Sequence, residues 1–458
     1  MFRVESTSTG RYCDGISRRH FLQIGVAGMT STGLGSVLRA ASDPETARPK
    51  KDTSVILLWL DGGPGHMDLY DLKPDAPSEY RGIWRPIKTN VPGIEISELF
   101  PLQAKIADKF SIVRSLHHDD GDHFAAAHKL LTSRGGANGA DTSQKNPGLS
   151  AIAAKMCGAR KPGIPAHIAV PYSSTVGLRP GYFGGSYLGR TFGPFEVGGS
   201  PNADNYRVED VSLAGGLSLA RLEDRRSLAH HLDGFQRSLD ASGIMESMDR
   251  FDQRAYDLVT GAEARKAFDI GSEDPAIRDL YGRHDWGQSA LLARRLVQAG
   301  ATFVTVHMGG WDHHWNLKTG MEDYLPRLDR AVHGLFTDLS RLGLDEKVMV
   351  VICGEFSRTP KMNDGGNGGP PGSQGTPGRD HWGNAMFCVM GGGGIKGGQI
   401  VGATDRLGER PIDRPVTPGD IHHTIYHILG VDPKQSFLNH TGRPVAMVED
   451  GAIISELV

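Results

Sequence analysis

The feature that most constrains this chain is a recurring one: short β-branched apolar runs that stop abruptly at Gly, Asp, Glu or His. Ser54 to Leu60 runs into Asp61-Gly62-Gly63-Pro64-Gly65, and Phe110 to Arg114 runs into a cluster of His and Asp. Ala301 to His307 leads into Met308-Gly309-Gly310-Trp311-Asp312-His313-His314, and Lys347 to Cys353 into Gly354-Glu355-Phe356-Ser357-Arg358. Asn384 to Met390 follows closely on Asp380-His381-Trp382. Runs that are apolar at every position suit the strands of a parallel sheet, because helices cover such a sheet on both faces. Helical spacing occupies the intervals, over Ala125 to Thr132, Trp286 to Ala299, Leu325 to Leu342 and Pro418 to Leu429. The alternation predicts an α/β fold, a three-layer sandwich with a mostly parallel central sheet whose carboxyl edge delivers the polar loops.

Composition sets the outer limits. The 458 residues are 38% hydrophobic, enough for a large core, and 50 Lys plus Arg against 53 Asp plus Glu leave no positive excess for a nucleic-acid partner. From Pro162 to Asp285 the strand-and-helix rhythm gives way to a Gly, Pro and Tyr-rich stretch and then to charged helical segments. Residues 50–458 are therefore expected to form one α/β domain, with 162–285 a loop-rich and helical insertion that caps the active edge. Asn363 to Gly378, dominated by Gly and Pro, reads as a loop.

Residues 1–41 read as an address. Ser17-Arg18-Arg19-His20-Phe21-Leu22-Gln23 precedes a mildly apolar stretch ending in Ala40-Ala41, a pattern similar to a twin-arginine export signal. The stretch is too short and too Gly-rich for a stable membrane span, so a periplasmic or secreted mature chain is expected. Removing it takes away five basic and two acidic residues and leaves 45 against 51, a net charge of −6. Of the four cysteines, Cys157, Cys353 and Cys388 would remain, which permits one disulfide at most. No pair has the spacing of a structural zinc finger, and nothing in the sequence sets an oligomeric state.

Phosphoryl or sulfuryl transfer assisted by metal needs carboxylates and imidazoles from separate strand ends to converge on one edge while a position stays open for substrate. Asp61, Asp312, His313, His314, Glu355 and His381 are the candidates here. One strand-end Asp would mean little, whereas four strand-end sets in one chain point to a site for one or two divalent ions. The imidazole donors favour a zinc-like metal over calcium. Arg358 and Lys73 are candidates to hold a tetrahedral anion, since a guanidinium presents a planar fork to its oxygens.

Several motifs together resemble a known family. They are Arg18-Arg19-His20-Phe21-Leu22, Trp59-Leu60-Asp61-Gly62-Gly63-Pro64, Leu72-Lys73-Pro74-Asp75-Ala76-Pro77, Leu292-Ala293-Arg294-Arg295-Leu296-Val297, Gly310-Trp311-Asp312-His313 and Gly354-Glu355-Phe356-Ser357-Arg358-Thr359-Pro360. This set is similar to the exported family known as the domain of unknown function fifteen-oh-one. The order of elements resembles the wider alkaline phosphatase and sulfatase superfamily. The resemblance implies an alkaline phosphatase-like sheet, Asp61 and Glu355 as ligands at the first metal, and Asp312, His381 and one of His313 or His314 at the second. Phe356 stands where relatives usually carry His or Asn, so one ligand is missing or comes from elsewhere. Leu130-Leu131-Thr132-Ser133-Arg134 resembles the run that follows the sulfatase nucleophile, and counting back places His123 where that Cys or Ser should be. Asp122 and His123 are then candidates to bind metal, activate water or attack, with Asp122 as a helix N-cap the plainer alternative. The expected function is an exported metal-dependent hydrolase of phosphate or sulfate esters, on a small-molecule or polysaccharide substrate. The alternative is a non-catalytic metal- or glycan-binding protein that retains the fold.

Overall fold

The strand-like runs assemble around Ser54–Asp61, in which all eight residues are buried. The computed structural model describes residues 51–208, 258, 260–365 and 375–458. The expected export signal and residues 209–257 of the expected insertion lie outside them. Eight strands, β1 (Ser54–Asp61), β2 (Phe110–Leu116), β3 (His167–Val170), β4 (Phe195–Glu196), β5 (Phe303–Gly309), β6 (Val348–Cys353), β7 (Met386–Gly391) and β8 (Ile400–Val401), form one sheet. Their order is β8-β2-β7-β6-β1-β5-β3-β4. Every pairing is parallel except those of β7, which runs antiparallel between β2 and β6. The reversal is useful: it brings the start of β7, just after His381, to the edge where β1, β5 and β6 end.

Alternation along β1 divides its side chains between two cores. Ile56, Leu58 and Leu60 join one cluster with α3 (Asp285–Ala299) and α4 (Leu317–Arg341). Val55, Leu57 and Trp59 join the other, with α1 (His123–Thr132), α2 (Leu149–Cys157) and α5 (Pro418–Leu429). Each such side chain, fully withdrawn from water, contributes about 2 kcal/mol by burial. Truncating Leu58 to Ala would cost about 2–5 kcal/mol because the sheet cannot collapse into the gap. The three-layer α/β arrangement follows from strands with no polar face to offer to solvent.

Two boundaries differ from the sequence reading. Helix α4 starts at Leu317 and carries Pro326 in its interior, because the buried stripe Leu317, Met321, Leu325 and Leu328 keeps helical spacing straight through the proline. The stretch expected only to cap the edge also supplies β3 and β4 to the sheet. The loop after β3 turns back over the end of β1, with its Val176 N–H 2.9 Å from each oxygen of Asp61.

Candidate metal centre

Three loops leaving the sheet edge are fastened to one another by backbone groups. After β1 the chain turns through Gly62 and Gly63, at φ 110° and 69°, and a Cβ on Gly63 would lie 2.5 Å from the ring of Phe356. Only glycine fits there. Glu355, just beyond β6 and fully buried, accepts the Gly62 N–H on both carboxylate oxygens, at 3.0 and 3.2 Å. Arg358, also without exposed surface, gives Nε–H to the Gly63 carbonyl at 2.8 Å and Nη2–H to the Gly62 carbonyl. The same Nη2 lies 2.5 Å from Asp312 Oδ1. Its guanidinium is thus committed to the glycine turn and to Asp312 rather than left open as an anion fork.

Three imidazoles surround Asp312. His123, the first residue of α1, places Nδ1 2.7 Å from Glu355 Oε1 and Nε2 3.4 Å from Asp312 Oδ2. His314 places Nδ1 2.7 Å from Asp380 Oδ1 and Nε2 3.0 Å from Asp312 Oδ1. His381 places Nδ1 2.8 Å from the Gly121 carbonyl and Nε2 3.3 Å from Asp312 Oδ1. Carboxylates and carbonyls only accept, so each Nδ1 carries a hydrogen, and each Nε2 donates to Asp312 when its ring is protonated and presents a lone pair there when the ring is neutral. The Nε2 atoms of His314 and His381 are 2.9 Å apart, and the donor atoms of His123, Asp312 and His381 all lie within 4.8 Å of one another. Phe356, in place of a ligand, forms the apolar wall of this cluster, its ring 4.7 Å from that of His123 and 4.6 Å from that of His381.

The charges follow the contacts. Burial opposes the imidazolium of His123, but its hydrogen bonds to Asp312 and Glu355 push it up to about 9. The Asp312 hydrogen bond raises His314. Against the cost of burial, the three imidazoles and Arg358 hold Asp312 far below the usual carboxylate range. Burial raises Glu355, with the neighbouring Asp61 charge adding to it and His123 opposing. Without a cation, protons must occupy the space between these nitrogens and the carboxylate.

The donor set fits a metal. A tetrahedral site with ligand distances of about 2.1 Å has edges of roughly 3.4 Å; four of the donor contacts here run from 2.9 to 3.4 Å, and the His123, Asp312 and His381 donors lie within 4.8 Å of one another. His123 Nε2 is buried, and its nearest acceptor is Asp312 Oδ2 at 3.4 Å. The Nδ1 acceptors, Glu355, Asp380 and Gly121, are the outer contacts that fix the tautomer of a metal-binding histidine.

Other expected residues stand elsewhere. His313, next to His314, turns the opposite way, and a Cβ on Gly320 of α4 would meet its ring at 2.0 Å. Its ring lies 5.4 Å from that of Tyr324, and burial lowers its pKa, which makes it a packing residue. Asp122 is the N-cap of α1, with Oδ1 3.0 Å from the amides of Phe124 and Ala125. Those amides are consequently unavailable to a substrate anion. The Asp61 oxygens are taken by the Val176 N–H and by His307 Nε2 at 2.9 Å, and neither Asp61 nor Glu355 joins the group around Asp312. Lys73 pairs with Asp71 at 3.2 Å.

Two positions went unread in the sequence. Arg379, fully buried, bonds Asp68 at 2.9 Å and the carbonyls of Thr359, Pro360, Tyr80 and Arg81, which fixes the segment carrying Asp380 and His381. His307 lies on β5 beside Trp59 of β1, on the same face as Asp61. A polar residue at an alternate position of an otherwise apolar strand was its available signal. His307, Asp61 and Asp312 all border a cavity of about 720 Å³, together with Tyr172, Ser174, Arg179, Trp286 and Ser289.

Residues 52–458 match the family described as "Protein of unknown function (DUF1501)". No curated protein matches the chain. Among solved structures, the PsFucS1 sulfatase from Pseudoalteromonas sp. is similar at 15% identity and a TM-score of 0.38, covering 91% of this chain and 72% of that one. The C-terminal periplasmic domain of EcEptC from Escherichia coli, in complex with Zn, is similar at 11% identity and a TM-score of 0.35, covering 90% and 92%. The alkaline phosphatase from the Antarctic bacterium TAB5 is similar at 12% identity and a TM-score of 0.34, covering 83% and 98%.

Proposed function

We propose, from the premise that the chain belongs to the DUF1501 family, that it is an exported metal-dependent hydrolase of phosphate or sulfate esters. The observation that carries this reading is the tautomer pattern: three imidazoles give Nδ1–H to fixed acceptors and turn Nε2 toward one carboxylate. Asp312, His123, His314 and His381 would hold the ion, and the imidazoles favour zinc or a similar transition metal. A divalent cation held there supplies Lewis acidity toward the anionic oxygens of a bound ester. Arg358 fixes Asp312 and the glycine turn, so the carboxylate keeps its place through turnover. Asp380 and Glu355 hold His314 and His123 in the required tautomer. Phe356 excludes water from one side.

Because His123 stands at the start of α1 in place of a Ser, Thr or Cys, the attacking group in this reading is water, and no covalent adduct accumulates. The pattern at Ser17 to Gln23 supports twin-arginine export. Among the described residues no helix is long and apolar enough to cross a membrane. The test is to measure metal content of the purified full chain, then to screen phosphomonoesters, phosphodiesters and sulfate esters with the metal loaded. Stoichiometric zinc or manganese with turnover of one ester class is the expected result. A chain that takes up no metal at saturating zinc overturns the reading, and metal without turnover of any ester favours a metal-binding protein instead.

A further inference from the structure

Trp286, the second residue of α3, is half-buried and has one face of its indole covered. It stacks on the fully buried Trp311, with ring centroids 5.3 Å apart and planes 21° from parallel. Tyr324 meets both indoles at steep angles, 5.0 Å from Trp286 and 5.4 Å from Trp311. A ring nearly equidistant from two stacked partners lies beside the stack and leaves its outer face clear. That outer face is the broad surface Trp286 offers to the cavity of about 720 Å³ that it lines, a volume within the range of small-molecule sites.

Trp311 ties this platform to the metal cluster, because the next residue is Asp312. The Gly310 and Trp311 N–H groups bond the Asp61 carbonyl at 3.2 and 3.3 Å, and a Cβ on Gly62 would lie 2.8 Å from the Asp312 nitrogen. Platform, strand ends and Asp312 are thus one packed unit. The cavity borders Asp312 but none of His123, His314, His381 and Phe356, so it meets the cluster on the side that the imidazoles leave open.

The rest of the lining selects against a second charge and for hydroxyl groups. Arg179 is the one Lys or Arg that borders the cavity among the described residues, and it is spent. Its Nη2 lies 2.8 Å from Glu196, and its guanidinium lies over the Tyr172 ring at 4.2 Å. Asp61, Asp285 and Asp312 repel any further anionic group on a ligand. Asp285 accepts the Ser200 O–H on one oxygen, and a carboxylate has about four lone-pair positions. An alkyl or aryl group would cover those acceptors without bonding them. A hydroxylated ring instead lays its C–H face on the negative face of the indole and turns its O–H groups to the rim. Val176 adds an apolar contact, its side chain 39% exposed on a backbone at φ 45°. A β-branched residue rarely adopts that conformation, and the bonds from its N–H to Asp61 hold it there.

We infer that this cavity is a subsite for a neutral hydroxylated ring, a pyranose, with Trp286 as its platform. That the ring belongs to the alcohol of a cleaved ester rests on the ester-hydrolase reading above, whereas the binding of the ring does not.

The test uses the zinc-loaded full chain and needs no turnover. Saturation-transfer NMR is recorded with the methyl glycosides of glucose, galactose, mannose and N-acetylglucosamine, and with methyl glucuronide and benzyl alcohol as anionic and aryl competitors. Wild type should bind at least one neutral glycoside, with saturation strongest on one C–H face, and should bind methyl glucuronide and benzyl alcohol about tenfold more weakly or less. Trp286→Ala should weaken the neutral glycoside about tenfold or more, and Trp286→Phe, which restores a flat ring, by about threefold or less. Should Trp286→Ala fold poorly, Asp285→Asn on the exposed rim carries the test, with a loss of about threefold or more. No binding of any neutral glycoside by wild type, equal binding by the Trp286→Ala or Asp285→Asn chain, or tighter binding of the glucuronide or of benzyl alcohol overturns the assignment. An ester screen on the same preparations separates the two readings. Turnover without glycoside binding leaves the hydrolase standing and removes the subsite, and glycoside binding without turnover of any ester keeps the subsite and removes the hydrolase.

Discussion

Asp61 and Asp312 end or follow neighbouring strands, and they are built for opposite partners. Asp61 is buried and is surrounded by hydrogens that point at it, from the Val176 amide and from His307 Nε2. Asp312 has a side chain 40% exposed and faces the Nε2 atoms of three imidazoles whose Nδ1 hydrogens are turned outward. The same residue type at the same sheet edge is thereby saturated with hydrogen bonds in one case and ringed by ligand-type nitrogens in the other. What decides is the acceptor behind each ring. Glu355, Asp380 and Gly121 draw Nδ1–H away from the cluster, whereas Asp61 itself draws Nε2–H of His307.

The largest effect expected short of losing the cluster itself concerns the support of the Asp312 side. Arg379 and Asp68 form a fully buried pair that anchors the segment bearing Asp380 and His381. Arg379→Leu leaves Asp68 charged and unpaired and should cost about 3–5 kcal/mol in denaturant unfolding. It should also displace His381, so metal affinity should fall with stability. A smaller loss is expected from the acceptors themselves. Asp380→Asn and Glu355→Gln should each weaken metal binding by about 10–100-fold, read by competition with a chelator. Retention of full affinity in both would mean that the tautomers are set by something else.

A still smaller effect separates the two states of the cluster. His123 is raised to about 9 from an ordinary 6.5 by its carboxylate partners, so in the metal-free chain its imidazolium stabilises the fold. That contribution is complete below about pH 6.5 and is lost as pH rises through about 9. Metal-free protein should lose roughly 2 kcal/mol of stability across that window. The zinc-loaded chain should show the reverse trend in its metal-dependent stabilisation, because the ion must displace the proton and does so more easily as pH rises. Unfolding curves with and without zinc at several pH values check both signs.

The comparison also explains what was legible in the sequence. The sheet was readable because β1, β5 and β6 are apolar at nearly every position and end sharply, which leaves few alternatives to a covered parallel sheet. The convergence of Asp312, His314 and His381 followed from their places at strand ends. The choice between His313 and His314 did not, because it depends on the space over Gly320 and beside Tyr324. The family resemblance implied Asp61 and Glu355 as ligands, yet both spend their oxygens on amides and imidazoles, contacts that only tertiary packing reveals. Arg379 escaped notice beside a Gly and Pro-rich stretch, where composition points to a loop and says nothing of a buried anchor at its end. His307 was readable in principle from strand alternation, but its meaning required knowing that β5 lies next to β1.

The decisive difference is that Asp312 is placed for a cation, whereas the oxygens of Asp61 are held by the Val176 amide and His307. The most direct test is the metal stoichiometry of Asp312→Asn and Asp61→Asn, each purified as the full chain, saturated with zinc and passed over a desalting column. Asp312→Asn is expected to retain no stoichiometric zinc, while Asp61→Asn is expected to retain as much as wild type. Zinc kept by Asp312→Asn, or lost from a folded Asp61→Asn, would contradict it.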